Sequence, residues 1–194
     1  MSVPPLDPAV RARVEDTVIR MFVATDERDW QAVQACFTDP FTLDMSSLAG
    51  GAPASVSPLQ VTQMWAEGFR TLDQVHHQVG NFQTRVEGAR ASIRCYGIAF
   101  HYRDAIAAAA KSRTFVGTYE FALVLQGSAW RIEKLRSISS SSTAIGSWRR
   151  RSEAARSSAR RGVPSTATAP LLDEEKNSRA GMRHAEFSRG ILSA

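Results

Sequence analysis

The sequence predicts an α+β fold, a cone-shaped curved antiparallel β-sheet packed against about three N-terminal helices, with a disordered basic C-terminal tail. Three observations predict it. Apolar residues recur at helical spacing as far as Phe69, and from about Val75 the period changes to two. Helices followed by a run of strands is the order of a chain whose helices cover one face of a single sheet. After Ser139 the apolar pattern gives way to Ser, Arg and Ala. Such a segment buries too little surface to offset its ordering entropy. Residues 1–145 are therefore read as one folded domain and residues 146–194 as the tail, with a short helix around Arg149 to Arg161 as an alternative.

Asp7-Pro8 opens the first helix with a capping carboxylate and a proline in the first turn. Val10, Val14, Ile19, Met21 and Phe22 carry it to about Thr25. Asp29 caps a short second helix, DWQAVQACF, which Asp39-Pro40 is expected to end, because the residue before proline is pushed out of the helical region. FTLDM is a short strand whose alternation exposes Asp44. Residues 46–57 form a small-residue loop with Gly50, Gly51 and Pro53. Ser57-Pro58 starts the third helix, with Val61, Met64, Trp65 and Phe69 on one face. VHHQVGNFQTRV, ARASIRCYGIAFHYR, RTFVGTYEFALVL and AWRIEKLRSIS are the later strands, with turns at Glu87-Gly88 and Gln126-Gly127. AIAAAAK is a loop or a short helical turn. Trp30, Phe37, Trp65, Phe69 and Trp130 read first as core.

Charge is distributed unevenly. In residues 1–145, 14 Lys and Arg balance 14 Asp and Glu; residues 146–194 hold 10 against 5 and supply the whole net charge of +5. The basic character belongs to the tail, so no nucleic-acid partner is expected beyond weak, salt-sensitive binding there. No apolar run approaches the roughly 20 residues of a membrane span, and MSVPPLDPAV has neither a basic stretch nor an apolar one. A cytoplasmic protein without a membrane partner is expected. Cys36 and Cys95 have no CxxC neighbour, so buried free thiols are expected rather than a zinc site.

The chemistry concentrates in Asp26, His77 and His101, a carboxylate at a helix end and two imidazoles on later strands. An imidazole both takes and gives a proton near neutral pH. His76 and His77 are adjacent and must face opposite sides of a strand, and His77 is assigned inward. His101 shares its face with Cys95, Gly97 and Ala99, small residues suited to a pocket wall. Plainer roles compete: Asp26 also suits a solvated helix end, and His101 a satisfied core position.

ATDERDWQAVQACFTDPFTLDM, SPLQVTQMWAEGF, VHHQVGNFQTRVEGARASI and GTYEFALVLQGSAWRI, in this order, resemble the SnoaL-like branch of the nuclear-transport-factor-2-like superfamily from about Val10 to Ser139. The resemblance implies a cone of bent sheet capped by helices, in a homodimer or homotrimer. Within that family the trio resembles the acid–base set of the scytalone dehydratases. That likeness implies a His101–Asp26 pair acting as base, with His77 assisting a leaving group or carbonyl oxygen. It departs where those enzymes hold a water with tyrosines, since Thr25 and Met45 stand there, and Tyr119 stands nearest their pocket asparagine. Thr25, Met45, Met64, Trp65 and Tyr119 are the expected substrate contacts. The expected activity is that of a cofactor-independent dehydratase, isomerase or cyclase, with no metal, acting on a small apolar hydroxy-ketone or polyketide-like metabolite. The competing expectation is a non-catalytic small-molecule-binding or protein-interaction module of the same fold.

Overall fold

The computed structural model describes residues 6–104 and 112–145. The expectations for AIAAAAK and for the tail at residues 146–194 lie outside the described residues. The elements run α1 (Pro8–Glu27), α2 (Trp30–Gln34), β1 (Phe37–Asp44), α3 (Ser46–Ala49), β2 (Ala54–Val56), α4 (Pro58–Phe69), β3 (Gln74–Glu87), β4 (Arg90–Tyr102), β5 (Ser112–Gln126) and β6 (Ala129–Ile145). The strands form one curved, unclosed six-stranded sheet in the order β2-β1-β6-β5-β4-β3. All neighbours are antiparallel except β1 and β6, which run parallel.

Helix ends follow their sequence signals. Asp7 accepts the Ala9 amide at 2.8 Å, and Arg28 closes α1 in the left-handed conformation at φ 59°. At α4, Ser57 and Gln60 form a reciprocal capping box behind Pro58. The buried stripe of α1 is Val14, Val18, Met21 and Phe22, which share one buried core with Leu43, Leu123 and Ile132 of the sheet. Ile19, assigned to this stripe from its spacing, is turned outward and 41% exposed. Both cysteines are buried free thiols.

Four differences from the expected elements have local causes. The short second helix stops at Gln34, and Pro40 lies inside β1 rather than ending a helix; Phe37 is already laddered to Ile132 of β6. The loop at residues 46–57 contains one turn of helix and a short strand, β2, paired on β1. Strand β6 continues through Ser139–Ser142 to Ile145 because its backbone pairs with β5 down to Ser112; ladder hydrogen bonds need no apolar side chain. Asp44, expected exposed, is buried at 6%. It accepts from the Ser46 hydroxyl at 2.6 Å and amide at 3.1 Å and faces Arg136 at 3.3 Å. Those hydrogen bonds, with Arg136, hold its carboxyl below the usual range.

Curvature comes from register shifts. β3 slips between Gly80 and Gln83, where Asn81 takes φ 55°, and β5 slips against β6 at Val116/Gly117 and Ala122/Leu123. Such irregularities bend a strand and increase its twist, so α1 and α4 meet a concave surface. Gly117 sits at one of these bends: a Cβ there would stand 2.5 Å from the Ile138 carbonyl oxygen. Gly117→Ala is expected to cost about 1–3 kcal/mol by overpacking, read as a lower urea midpoint. An unchanged midpoint would mean that β6 moves aside freely at this bend.

Candidate active site

The concave face and the helices enclose a cavity of about 250 Å³. Its chemistry begins where α1 ends. β3 is an edge strand, with β4 on one side only, so its outward amides lack a ladder partner. Asp26, in the last turn of α1, meets that edge. Its Oδ2 accepts the His77 backbone amide at 2.7 Å, and its Oδ1 lies 2.5 Å from His77 Nδ1. One carboxylate thus holds both the main chain and the ring of one residue. The side chains of Asp26 and His77 are 15% and 10% exposed, whereas His76, on the opposite face of β3, is 72% exposed and stands 3.7 Å from Asp26.

A carboxylate accepts, so Nδ1 of His77 carries the hydrogen, and in the neutral ring the lone pair is on Nε2. His77 lines the cavity, and with Nδ1 committed to Asp26 it is Nε2 that the cavity can use. The ring rests against Phe22, at 5.1 Å between centroids.

His101 lies on the opposite wall, 6.4 Å from His77 between ring centroids and edge-on to it. Phe69 of α4 and Phe115 of β5 flank it at 5.4 and 4.9 Å. Burial, with the neighbouring His77 and Arg113, lowers its pKa to about 4. His101 is therefore a neutral imidazole at physiological pH. Asp26 pairs with His77 rather than with His101, which corrects the pairing implied by the resemblance. The cause is topological: Asp26 reaches the sheet at its edge strand, and His101 is one strand further in.

The other expected contacts divide. Thr25, Met45, Trp65 and Tyr119 line the cavity, and Met64 does not; it packs against the core one residue before Trp65 on α4. The Thr25 hydroxyl donates to the Met21 carbonyl at 2.7 Å. Tyr119 is packed edge-on to Phe22 at 5.0 Å, and burial pushes its phenol up to about 12. A Cβ on Gly97 would clash with the Tyr119 ring, so this glycine makes the room in which the tyrosine lies. The lining also includes Met21, Phe22, Phe69, Arg113, Phe115 and Ser137, none of them singled out from sequence as a ligand contact. Counting back by twos from Tyr119 along β5 reaches Phe115 and Arg113, a signal that was available. Among the described residues no group of three or more His, Cys, Asp or Glu is arranged to hold a metal. No helix among them is long and apolar enough to cross a membrane.

A family model described as a SnoaL-like domain matches residues 9–136. No curated protein matches the chain in sequence. Solved structures with a similar fold include the Kfla4162 protein of Kribbella flavida (TM-score 0.67, 22% identity, covering 71% of this chain and 95% of that one). A proposed scytalone dehydratase from Novosphingobium aromaticivorans aligns with TM-score 0.61 and 15% identity over 71% of this chain and 88% of its own. The LinA-type3 hexachlorocyclohexane dehydrochlorinase of Novosphingobium barchaimii aligns with TM-score 0.59 and 13% identity, over 71% and 90% respectively. At these identities the likeness is one of fold.

The depressed pKa of His101 has a consequence for stability. Between pH 6.5, its ordinary value, and about 4, the unfolded chain binds a proton there that the folded chain refuses. Its contribution to stability is complete above pH 6.5 and is lost as the pH falls through that window. His101→Gln is expected to lessen the loss between pH 7 and pH 5 by about 2 kcal/mol relative to wild type, measured by urea unfolding at both values. Parallel slopes for the two proteins would contradict a neutral, desolvated His101.

Proposed function

We propose that this chain, which belongs to the SnoaL-like family, is a cofactor-independent acid–base enzyme of the dehydratase, isomerase or cyclase type. Its proposed substrate is a small, mostly apolar hydroxy-ketone or polyketide-like molecule. The observation that carries this reading is the Asp26–His77 pair, which leaves Nε2 of His77 as a base at a largely apolar cavity, opposite a neutral His101.

The roles follow from the two environments. Nε2 of His77 removes a proton from carbon next to a substrate carbonyl. Asp26 holds the tautomer and stabilises the imidazolium without taking the proton itself. His101, neutral, donates a hydrogen bond to the carbonyl oxygen as it becomes enolate. In a dehydration the enolate electrons re-form the carbonyl as the carbon–carbon double bond forms and the β-hydroxyl departs. That hydroxyl leaves as water with the proton that His77 took. In an isomerisation the same proton returns to a different carbon. The apolar walls around Phe22, Phe69 and Phe115 exclude bulk water and strengthen each of these interactions. Thr25, Met45, Trp65 and Tyr119 bound the substrate. The exposed Tyr96 and Phe100 on the outer face of β4, 50% and 42% accessible, support a homodimer or homotrimer.

A non-catalytic binding module is the second reading, and one observation favours it: the Thr25 hydroxyl is spent on the Met21 carbonyl, so it does not replace a water-holding tyrosine as a free donor. Incubation with a panel of hydroxy-ketones, followed by mass spectrometry, separates the two. Loss of one water, or a new isomer made by wild type alone, is the expected outcome; a ligand retained unchanged would favour the module. Asp26→Asn and His77→Asn are each expected to lower turnover by about 10²–10⁴-fold. Activity within a few-fold of wild type in both variants would overturn the assignment.

A further inference from the structure

Two arginines, Arg103 and Arg113, line the cavity, and this chemistry leaves both unused; Arg113 is the one set against His101. Arg113 stands near the start of β5, directly opposite His101 on the β4–β5 ladder, and lines the same cavity. Its guanidinium lies over the Phe115 ring at 4.6 Å from the centroid, which orients the group and shields one face from water. Among the described residues no carboxylate lies within ion-pair distance of it. The carboxylate nearest to the chemistry, Asp26, is committed to His77. Arginines on the outer surface fare differently: Arg90 faces Glu133 and Arg136 faces Glu120, at 2.8 and 3.3 Å. Burial also pushes the Arg113 pKa down, as expected of a charge partly removed from water without a counter-ion.

We propose that Arg113 anchors a carboxylate of the substrate, so that the cavity takes a small apolar organic acid whose carboxylate lies close to the carbonyl held by His101. This inference rests on the acid–base reading of the cavity and narrows its substrate class. Opposed residues on one sheet face have Cβ atoms about 5 Å apart. A carboxylate on Arg113 therefore sits within a few bonds of an oxygen on His101, and the reacting carbon falls between the two histidines. A planar fork of N–H donors suits a carboxylate in two-point contact. The anion also offsets the positive charge beside His101, which faces His77, Asp26 and Arg113 from three elements. A bound acid is thus expected to raise the His101 pKa.

The test compares matched ligands, benzoate with benzamide and cinnamate with cinnamamide, by calorimetry and by imidazole NMR. Wild type is expected to bind each acid about tenfold or more tightly than its amide, with the His101 signals titrating at higher pH in the bound state. Arg113→Gln should abolish that preference and Arg113→Lys should retain part of it, while His77→Asn keeps it in full. Equal affinity of acid and amide for wild type would overturn the proposal. So would no binding of either acid up to about 10 mM, or a preference that survives Arg113→Gln. If the acid preference holds and follows Arg113 while Asp26→Asn and His77→Asn both keep near-wild-type turnover, the anion site stands and the acid–base reading falls. Should Arg113→Gln fail to fold, wild type and Arg113→Lys still decide the matter.

Discussion

The contact between Asp26 and His77 is the constraint on which the site depends. It closes the end of a 20-residue helix onto the edge strand of the sheet, and it does so with the carboxylate that orients His77 in the proposed mechanism. An edge strand offers unpaired amides, and a helix end offers a side chain that can reach them. Asp26 satisfies one such amide and orients the ring on the same residue. Removing the carboxylate would free both the ring and the strand edge. Position, tautomer and anchorage of the proposed base therefore change together, which gives this residue more leverage than a surface ion pair of similar length.

Much of this is legible in the amino-acid sequence. The change of period from helical to alternating located α1, α2, α4 and the four later strands, and the capping residues Asp7, Asp29 and Ser57 marked the starts of those helices. Alternation also separated His77 from His76 and put His101 on the face of Cys95 and Ala99. Pairing was not legible. Which histidine Asp26 meets depends on which strand forms the sheet edge, and strand order is a property of the whole topology rather than of any window of residues. Asp44 shows a related limit: alternation gave the face of β1, but its burial comes from Ser46 in the following turn and Arg136 on β6. Met64 and Trp65 are neighbours on α4, and only the second reaches the cavity; a helix stripe broad enough for the core is broader than the wall of a pocket. The serines of β6 carry no apolar signal, yet they are held by backbone pairing with β5.

In the proposed mechanism the two histidines take opposite parts within a single cavity. Their rings are 6.4 Å apart, close enough that identical environments would make them compete for the same proton. The fold separates them instead. His77 receives a carboxylate, which fixes the ring through Nδ1 and turns Nε2 to the cavity. His101 receives two phenylalanines, a histidine and an arginine, which disfavour its charged form and keep it a neutral donor. Arg113 belongs to this second environment, because its charge opposes protonation of His101 from directly across the ladder. In the proposed complex the Arg113 charge, which adds to burial and His77 in keeping His101 neutral, is partly neutralised by the bound acid. Binding of such an acid would thereby ease protonation of His101, and an imidazolium is a stronger hydrogen-bond donor to developing enolate charge than a neutral ring. Recognition of the carboxylate and adjustment of the acid are, in this arrangement, one electrostatic event.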